Sequence, residues 1–229
     1  MATRAPRGFG QYSGVARALE RVGERWALLI VRDLLTGARR YGDLKAALPR
    51  IPTNILSDRL KELQASGVIR RVPTVRGGYE LTPFGRELEP VVSALERWGW
   101  AALGDPTPGE VVSHESLAAA LRVAFRQPDA AGEPPTEYVL HVGGVSVAAI
   151  VADGDLTVVP VGPGALPQPR PELDAAATPS GRAEFEVTAT QFRDLLSGTL
   201  DPSTVCATST DEALERLQRT FRIDTPHGP

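Results

Sequence analysis

Apolar residues recur at intervals of three and four along the first half of the chain, the spacing that places side chains on one face of an α-helix. The pattern predicts four helices, over residues 15–22, 26–35, 41–48 and 52–66. In the fourth, Leu56, Leu60 and Leu63 form the apolar stripe, and Gly67 follows where a left-handed cap is expected. The opposite side carries short polar groups and one cation. The stripe alone therefore leaves open whether this helix is only a core element or also reads DNA.

A β-hairpin is predicted directly after the fourth helix. Two extended runs, Val68 to Val75 and Tyr79 to Leu81, are joined through Gly77-Gly78, and such a pair accepts the positive φ angles of a tight turn. Thr82 is placed to cap a further helix, predicted over Phe84 to Trp100. Short helices followed by this ribbon indicate a helix-turn-helix with an appended hairpin.

The second half of the chain has the pattern of a sheet with helices. Three strands are predicted over residues 137–142, 146–152 and 156–161, with turns at Gly143-Gly144 and Asp153-Gly154. Two later strands lie in GRAEFEVTAT and TVCATST, and helices are predicted in SHESLAAALRVAF, ATQFRDLLSGTL and DEALERLQRTFRI. We therefore expect an α+β unit, an antiparallel sheet with helices on one face.

A polar stretch rich in proline and glycine, LGDPTPGE, separates the two halves and is predicted to be a linker. The predicted organisation is a helix-turn-helix domain over residues 1–104, a linker over 105–112, a second domain over 113–223 and a tail over 224–229. Residues 1–104 hold 17 lysines and arginines against 10 acidic residues, whereas residues 105–229 hold 8 against 18. The basic half suits a polyanionic partner, which the acidic half would repel.

Composition predicts a cytoplasmic protein. The single cysteine, Cys206, rules out an internal disulfide framework and fits a reducing compartment. The first residues lack the apolar stretch of a secretory signal. The longest apolar run, Val145 to Ala152, is too short to cross a membrane, so no membrane partner is expected.

No constellation of residues indicates an enzyme. The three histidines, His114, His141 and His227, lack metal-ligand spacing, and we find no paired carboxylates, nucleophile elbow or phosphate-binding loop. The segment VGGVSV is not a dinucleotide fingerprint because no helix follows it. We expect no catalytic activity, no metal and no cofactor.

Residues 13–100 resemble the winged helix-turn-helix of the HxlR family of bacterial transcriptional regulators. The resemblance lies in VARALERVGERWALLIVRDLLTGARRYGDLKAAL, PTNILSDRLKELQASGVIRR and GYELTPFGREL, in order and nearly without gaps. It implies a homodimer that binds double-stranded DNA at an inverted repeat, with the terminal helices of the winged domain at the dimer interface. The interface residues expected are Val15, Leu19, Leu88, Val91, Val92, Leu95 and Trp98. Many members have a cysteine just before the first helix, used in some as a thiol sensor; Ser13 stands there in this chain, which argues against redox sensing by this domain.

With this resemblance, the polar face of the fourth helix becomes the candidate DNA-reading surface. Asparagine can pair with adenine edges and serine with several bases, whereas most arginines contact phosphates. Asp58 could accept from a cytosine amine or brace Lys61 or Arg59, and Arg59 fits an intramolecular salt bridge as well as a phosphate contact. The predicted DNA-binding residues are Arg39, Arg40, Thr53, Asn54, Ser57, Asp58, Arg59, Lys61, Arg70 and Arg76.

Residues 113–223 are similar to the fold of sterol carrier protein type two, in the Asp-Gly hairpin, the block FEVTATQFRDLLSGTLDP and a final helix rich in Leu and Phe. The similarity implies an apolar tunnel between sheet and helices that takes lipids or other hydrophobic molecules. The residues predicted to line it are Leu117, Leu121, Phe125, Tyr138, His141, Leu214, Leu217 and Phe221. That these side chains instead fill an ordinary core remains the alternative.

The function predicted is that of a homodimeric, winged-helix transcriptional repressor whose C-terminal domain binds a hydrophobic small-molecule effector. Repression is favoured over activation because occlusion of an operator needs no contact with polymerase. The alternative is a ligand-sequestering or protein-interaction protein whose C-terminal domain does not control DNA binding.

Overall fold

The computed structural model describes residues 8–73, 77–130, 132–162 and 181–224. The chain divides into two compact units, Met1–Val92 and Ser93–Pro229. Among the residues described, no helix is both long and apolar enough to cross a membrane.

The first unit contains the predicted helices and hairpin. Its elements, with the helix that continues beyond it, are α1 (Gly14–Val22), α2 (Ala27–Leu35), α3 (Tyr41–Ala47), α4 (Thr53–Ala65), β1 (Ile69–Val72), β2 (Gly78–Leu81), α5 (Pro83–Arg86) and α6 (Glu89–Trp100). Strands β1 and β2 pair antiparallel from Ile69 opposite Leu81 to Val72 opposite Gly78. The apolar faces of the helices and the hairpin share one core, so the polar face of α4 is left outside it.

Helix α4 is positioned by its apolar stripe and by its C-terminal end. Leu56, Leu60 and Leu63 are all buried in the core of the first unit. Gly67 has a φ of 76°, and the Val68 amide donates to the Leu63 carbonyl at 2.9 Å, which is the hydrogen bond of a glycine-terminated helix. The predicted left-handed cap is confirmed, and it turns the chain directly into β1.

The single helix expected over Phe84 to Trp100 is wrong, because the structure has two helices there. Thr82 caps the first, α5, and its Oγ1 accepts from the Gly85 amide at 3.0 Å as predicted. Pro90 is the second residue of α6. Proline has no amide hydrogen and is tolerated in the first turn of a helix but not in its interior, so a new helix has to begin just before it.

The second unit has the predicted α+β architecture. Its further elements are α7 (His114–Ala124), α8 (Gln127–Ala130), β3 (Thr136–Val142), β4 (Val145–Ala152), β5 (Asp155–Val161), β6 (Gly181–Val187), α9 (Ala189–Ser197), β7 (Cys206–Ser209) and α10 (Asp211–Thr220). The strands form one sheet in the order β5-β4-β3-β6-β7. Gly143-Gly144 and Asp153-Gly154 all have positive φ angles, so the two predicted tight turns are confirmed.

The sheet is mixed, and the expectation of a purely antiparallel sheet is wrong at one pair. Strand β3 pairs parallel with β6, from Thr136 beside Gly181 to Val142 beside Val187, while the other pairs are antiparallel. A parallel pair requires a crossover connection of a dozen or more residues. The connection from β3 to β6 runs over residues 143–180 and includes β4 and β5, so it is long enough.

The two faces of the sheet differ. Tyr138, Leu140 and Val142 of β3 join a core that also contains buried residues of α7, α9 and α10, which confirms that the helices share one face. Val139 belongs to a smaller apolar cluster with residues of β4 and β5. Because successive side chains of a strand point to opposite faces, His141 lies on the same side as Val139.

The second unit begins inside α6, before the predicted linker. Trp100 is buried, with its ring 6.4 Å from that of Phe192, edge to face, and its Nε1 donates to Ser197 Oγ at 3.0 Å. The Arg193 guanidinium then donates to Asp105 Oδ1 at 3.2 Å. The start of the linker is therefore fixed along α9.

Candidate nucleic-acid interface

The outward face of α4 carries exposed polar side chains, as predicted. Thr53, Asn54, Asp58 and Lys61 are all exposed. The Lys61 ammonium lies 3.7 Å from an Asp58 carboxylate oxygen, so Asp58 is placed to brace Lys61, one of the two roles considered for it. Asn54 is left pointing outward near the start of the helix, where a recognition helix meets base edges.

Ser57 is less available than the sequence suggested. Its hydroxyl lies 3.1 Å from the Thr53 carbonyl, which accepts its hydrogen bond, and 3.4 Å from the Tyr41 hydroxyl. The Tyr41 hydroxyl donates to the same Thr53 carbonyl at 2.9 Å. Tyr41 thus holds the start of α3 against the first turn of α4. The sequence showed only that Tyr41 begins a helix, so its contact with α4 was not predicted.

The two arginines expected ahead of α3 have different environments. Arg39 is only 5% exposed, and its Nη2 donates to Thr36 Oγ1 at 2.7 Å. Its backbone also exchanges hydrogen bonds of 2.9 and 2.8 Å with Tyr79, so Arg39 braces the hairpin instead of reaching phosphate as predicted. Arg40 is exposed. Its backbone amide donates to Asp43 Oδ2 at 2.9 Å, and its side chain lies at the surface.

Arg59 takes the intramolecular option of the two considered. Its guanidinium lies 2.5 Å from the Glu62 carboxylate and 3.4 Å from that of Glu24, and its side chain is largely buried. A cation compensated by two carboxylates adds little to the attraction of a polyanion.

The neighbouring arginines of β1 have unlike partners. Arg70 forms a cross-strand ion pair with Glu80, with Nε 2.7 Å and Nη2 2.6 Å from the same carboxylate oxygen. The Arg71 guanidinium lies over the Tyr79 ring, 5.5 Å from its centroid. Arg76, predicted as a contact of the hairpin tip, lies outside the described residues. Arg71 was not among the predicted contacts.

A groove of about 950 Å³ separates α4 from the hairpin. It is open to solvent, and its lining is partly polar and partly apolar. Its walls are formed by Tyr41, Ser57, Lys61, Gln64, Arg71, Val72, Pro73, Gly77, Gly78 and Tyr79. Its volume lies at the upper end of the range for ligand pockets. The groove borders the polar face of α4 directly, so it belongs to the same candidate surface.

Several apolar residues are also exposed, some in each unit. Of the residues predicted at the dimer interface, Val15 and Leu19 on α1 and Val91, Leu95 and Trp98 on α6 are exposed. Val92 is buried and Leu88 half-buried in the core of the first unit, so these two stabilise the unit itself. Phe9 and Tyr12 are also exposed, and neither belongs to a helical pattern of apolar residues from which an exposed apolar surface could be predicted.

The residues predicted to line a ligand tunnel are mostly packed together. Leu117, Leu121, Tyr138, Leu217 and Phe221 are almost fully buried in the core of the second unit. Phe125 and Leu214 are half-buried against that core. The tunnel and the filled core remain distinct hypotheses for these side chains, and the described packing matches the second more closely.

Tyr138 and His141 lie on opposite faces of the sheet, so His141 cannot anchor a ligand in the helix-covered core. Its Nδ1 is 2.7 Å from Ser146 Oγ and its Nε2 is 2.9 Å from Glu184 Oε1. The expectation for His141 overlooked strand alternation. Burial raises the pKa of Tyr138 far above its usual range, so it is a neutral phenol in the core. No group of three histidine, cysteine or acidic side chains in the described ranges could hold a metal ion.

Comparison with known proteins places the first unit in a family. A model of the HxlR-like helix-turn-helix matches residues 21–105. The uncharacterized HTH-type transcriptional regulator YvaP of Bacillus subtilis is 40% identical over 86 residues, which are 36% of this chain and 80% of YvaP. Mb3122 of Mycobacterium bovis, also an uncharacterized HTH-type transcriptional regulator, is 46% identical over 89 residues, 37% of this chain and 56% of its own.

Among solved structures, the reduced form of the transcriptional regulator YodB from B. subtilis is 27% identical, with a TM-score of 0.35 over 42% of this chain and 100% of YodB. The segment that the family model matches, residues 21–105, contains the whole of α2 to α6, with the hairpin and the polar face of α4, and YvaP is 40% identical over 80% of its own length. The chain therefore belongs to the HxlR-like helix-turn-helix family of transcriptional regulators.

Proposed function

We propose that this protein is a homodimeric repressor that places α4 in the major groove of an inverted-repeat operator. The observation that carries the proposal is the division of α4 into a buried leucine face and an exposed face with Asn54, Asp58 and Lys61. Asparagine can form paired hydrogen bonds with an adenine edge, and Lys61 supplies a cation for phosphate. A dimer of such units reads two half-sites about one helical turn, or a multiple of it, apart.

The exposed apolar residues of α1 and α6 support a dimer. Trp98 is 73% exposed and Leu95 is 45% exposed. An exposed tryptophan beside other apolar side chains is more typical of an interface than of a free surface. In a symmetric dimer the same residues of both protomers form the interface. The predicted interface residues that remain in this proposal are Val15, Leu19, Val91, Leu95 and Trp98.

The second unit is proposed to be the effector domain. A hydrophobic molecule would enter between the sheet and helices α7 and α10, at the half-buried Phe125 and Leu214. Because the inner side chains are packed, binding requires these helices to move. The Tyr138 hydroxyl would be the polar anchor. Trp100 supports transmission to DNA, since it is the last residue of α6 and lies in the core that the effector would disturb.

The free energy needed for such control is modest. An effector that prefers the form unable to bind DNA by about 1.4 kcal/mol weakens DNA binding tenfold. The coupling is reciprocal, so operator DNA must weaken effector binding by the same factor.

The test of DNA recognition is a footprint on the region upstream of the protein's own gene. We expect protection of an inverted repeat. Lys61→Ala should weaken binding, whereas Arg70→Ala should not, because the Arg70 guanidinium is already compensated by the Glu80 carboxylate at 2.6 Å. Failure of the wild-type protein to bind this or any other DNA at low salt would contradict the proposal and favour a sequestering or protein-interaction role.

The test of the effector domain is a panel of lipids and natural products in thermal shift, followed by DNA binding in the presence of each stabilising compound. A compound that stabilises the protein and weakens DNA binding supports the proposal. Compounds that stabilise the protein and leave DNA affinity unchanged would support sequestration instead.

A further inference from the structure

Two adjacent arginines of the hairpin are arranged for different tasks. Arg70 and Arg71 project to opposite faces of β1 because successive strand residues alternate. Arg70 faces Glu80, its cross-strand neighbour, and is neutralised by it. Within the described residues Arg71 has no carboxylate partner; its cross-strand neighbour is Tyr79, and its Nη2 lies 3.3 Å from the Tyr79 hydroxyl. No carboxylate of the described residues therefore compensates the charge of Arg71.

Arg71 is also held in place before any ligand arrives. Its guanidinium stacks over the Tyr79 ring, and the Tyr79 backbone is itself tied to Arg39 by two hydrogen bonds of 2.9 and 2.8 Å. A stacked guanidinium still presents its N–H groups at its edge, and it loses less conformational freedom on binding than a free side chain does. This is the arrangement expected of a cation that recognises a fixed anion.

The anion would lie in the groove between the hairpin and α4. Arg71 lines one wall of this groove and Lys61 lines the other. The Lys61 ammonium lies 3.7 Å from Asp58, a longer contact than the 2.6 Å pair of Arg70 with Glu80, and its side chain is 78% exposed. Gln64 lies on the wall formed by α4 and offers an amide. Two cations on facing walls of an open groove of about 950 Å³ match an extended chain of phosphates better than one compact anion.

We propose that this groove holds one sugar-phosphate strand of the DNA, with Arg71 and Lys61 bound to its phosphates from either side. Arg71, and not Arg70, is then the phosphate contact at the base of the hairpin. The inference rests on the proposed DNA-binding function and adds the path of the backbone across the protein. Arginine suits this position because its planar fork can donate to phosphate oxygens while its face remains on the ring.

The experiment compares Arg71→Ala with Arg70→Ala in the full-length protein, using fluorescence anisotropy with a random-sequence 30-base-pair duplex at salt concentrations from about 50 to 200 mM. Each phosphate contact contributes about 0.9 to the slope of log affinity against log salt. Arg71→Ala should therefore make the slope less steep by about one. Between about 50 and 200 mM salt, this variant should then lose about fourfold less affinity than the wild-type protein loses. Arg70→Ala should leave the slope within error of the wild type. Arg71→Lys retains the charge without the stacking plane, and should keep the slope but bind more weakly.

Lys61→Ala separates this inference from the function on which it rests. If Lys61→Ala lowers the slope while Arg71→Ala behaves like Arg70→Ala, the path of the backbone is wrong and DNA binding by α4 stands. If Arg70→Ala has the larger effect, the assignment is reversed and the inference is overturned. Absence of binding by the wild-type protein overturns both. Thermal melting identifies any variant that fails to fold. If Arg71→Ala does not fold, Arg71→Lys takes its place: weaker binding with the wild-type slope supports the inference, and wild-type affinity overturns it.

Discussion

Replacement of Trp98 by alanine should dissociate the proposed dimer. A buried aromatic side chain covers about 150–250 Å², and 73% of Trp98 is exposed in the single chain, so roughly 110–180 Å² is available to a partner. At about 25 cal/mol per Å² this is worth roughly 3–4.5 kcal/mol per protomer as an upper bound. A symmetric dimer contains the residue twice. We therefore expect the dimer Kd to rise at least about a hundredfold, or about 2.7 kcal/mol.

Sedimentation velocity over a wide range of protein concentrations measures this change. Two leucines of similar exposure provide a matched comparison: Leu95, 45% exposed on α6, and Leu103, 50% exposed after it. Leu95→Glu should give monomers because it buries a charge in the interface, whereas Leu103→Glu should leave the dimer intact. The reasoning is refuted if Trp98→Ala and Leu95→Glu sediment as the wild type does, or if Leu103→Glu dissociates the dimer as readily.

Two further predictions concern stability. Gly85→Ala would place a Cβ 2.0 Å from the Val68 carbonyl oxygen, so urea unfolding should show that the free energy of unfolding falls by about 3 kcal/mol. In Gly99→Ala the new Cβ meets nothing within 4 Å, and this variant should be as stable as the wild type. Equal stabilities of the two variants would contradict the packing of α5 on the hairpin. Because burial raises the pKa of Tyr138, the unfolded chain releases that proton first, and the free energy of unfolding should fall above pH 10 by about 1.4 kcal/mol per pH unit. Tyr138→Phe should lack this component, and an unchanged pH dependence would mean that the phenol is not buried.

The elements were predictable from the sequence where local chemistry decides them. The spacing of Leu56, Leu60 and Leu63 specified both the helix and its buried face, and Gly67 and Thr82 marked helix ends through their own backbone and side-chain chemistry. The break at Pro90 was predictable by the same reasoning, since proline interrupts a helix for local reasons. The apolar pattern over Phe84 to Trp100 was instead interpreted as one continuous helix.

Other features depend on residues far apart in sequence. The parallel pairing of β3 with β6 depends on a crossover whose direction no local pattern encodes. The environments of Arg70 and Arg71 depend on whether Glu80 or Tyr79 lies opposite, which requires the register of the hairpin. The burial of Arg39 likewise follows from its pairing with Tyr79. Charge and exposure could be estimated from the sequence, but the partner of each charge could not.

The central claim is that the exposed face of α4 reads base sequence, and Asn54→Ala tests it most directly. Affinity should be measured by anisotropy on the footprinted operator and on a random duplex of equal length, with Lys61→Ala as the comparison. Loss of a paired contact with one base should cost roughly 1–3 kcal/mol on the operator and almost nothing on random DNA, whereas Lys61→Ala should weaken both alike. Equal losses on the two duplexes for Asn54→Ala would contradict the claim and place another face of the protein in the major groove.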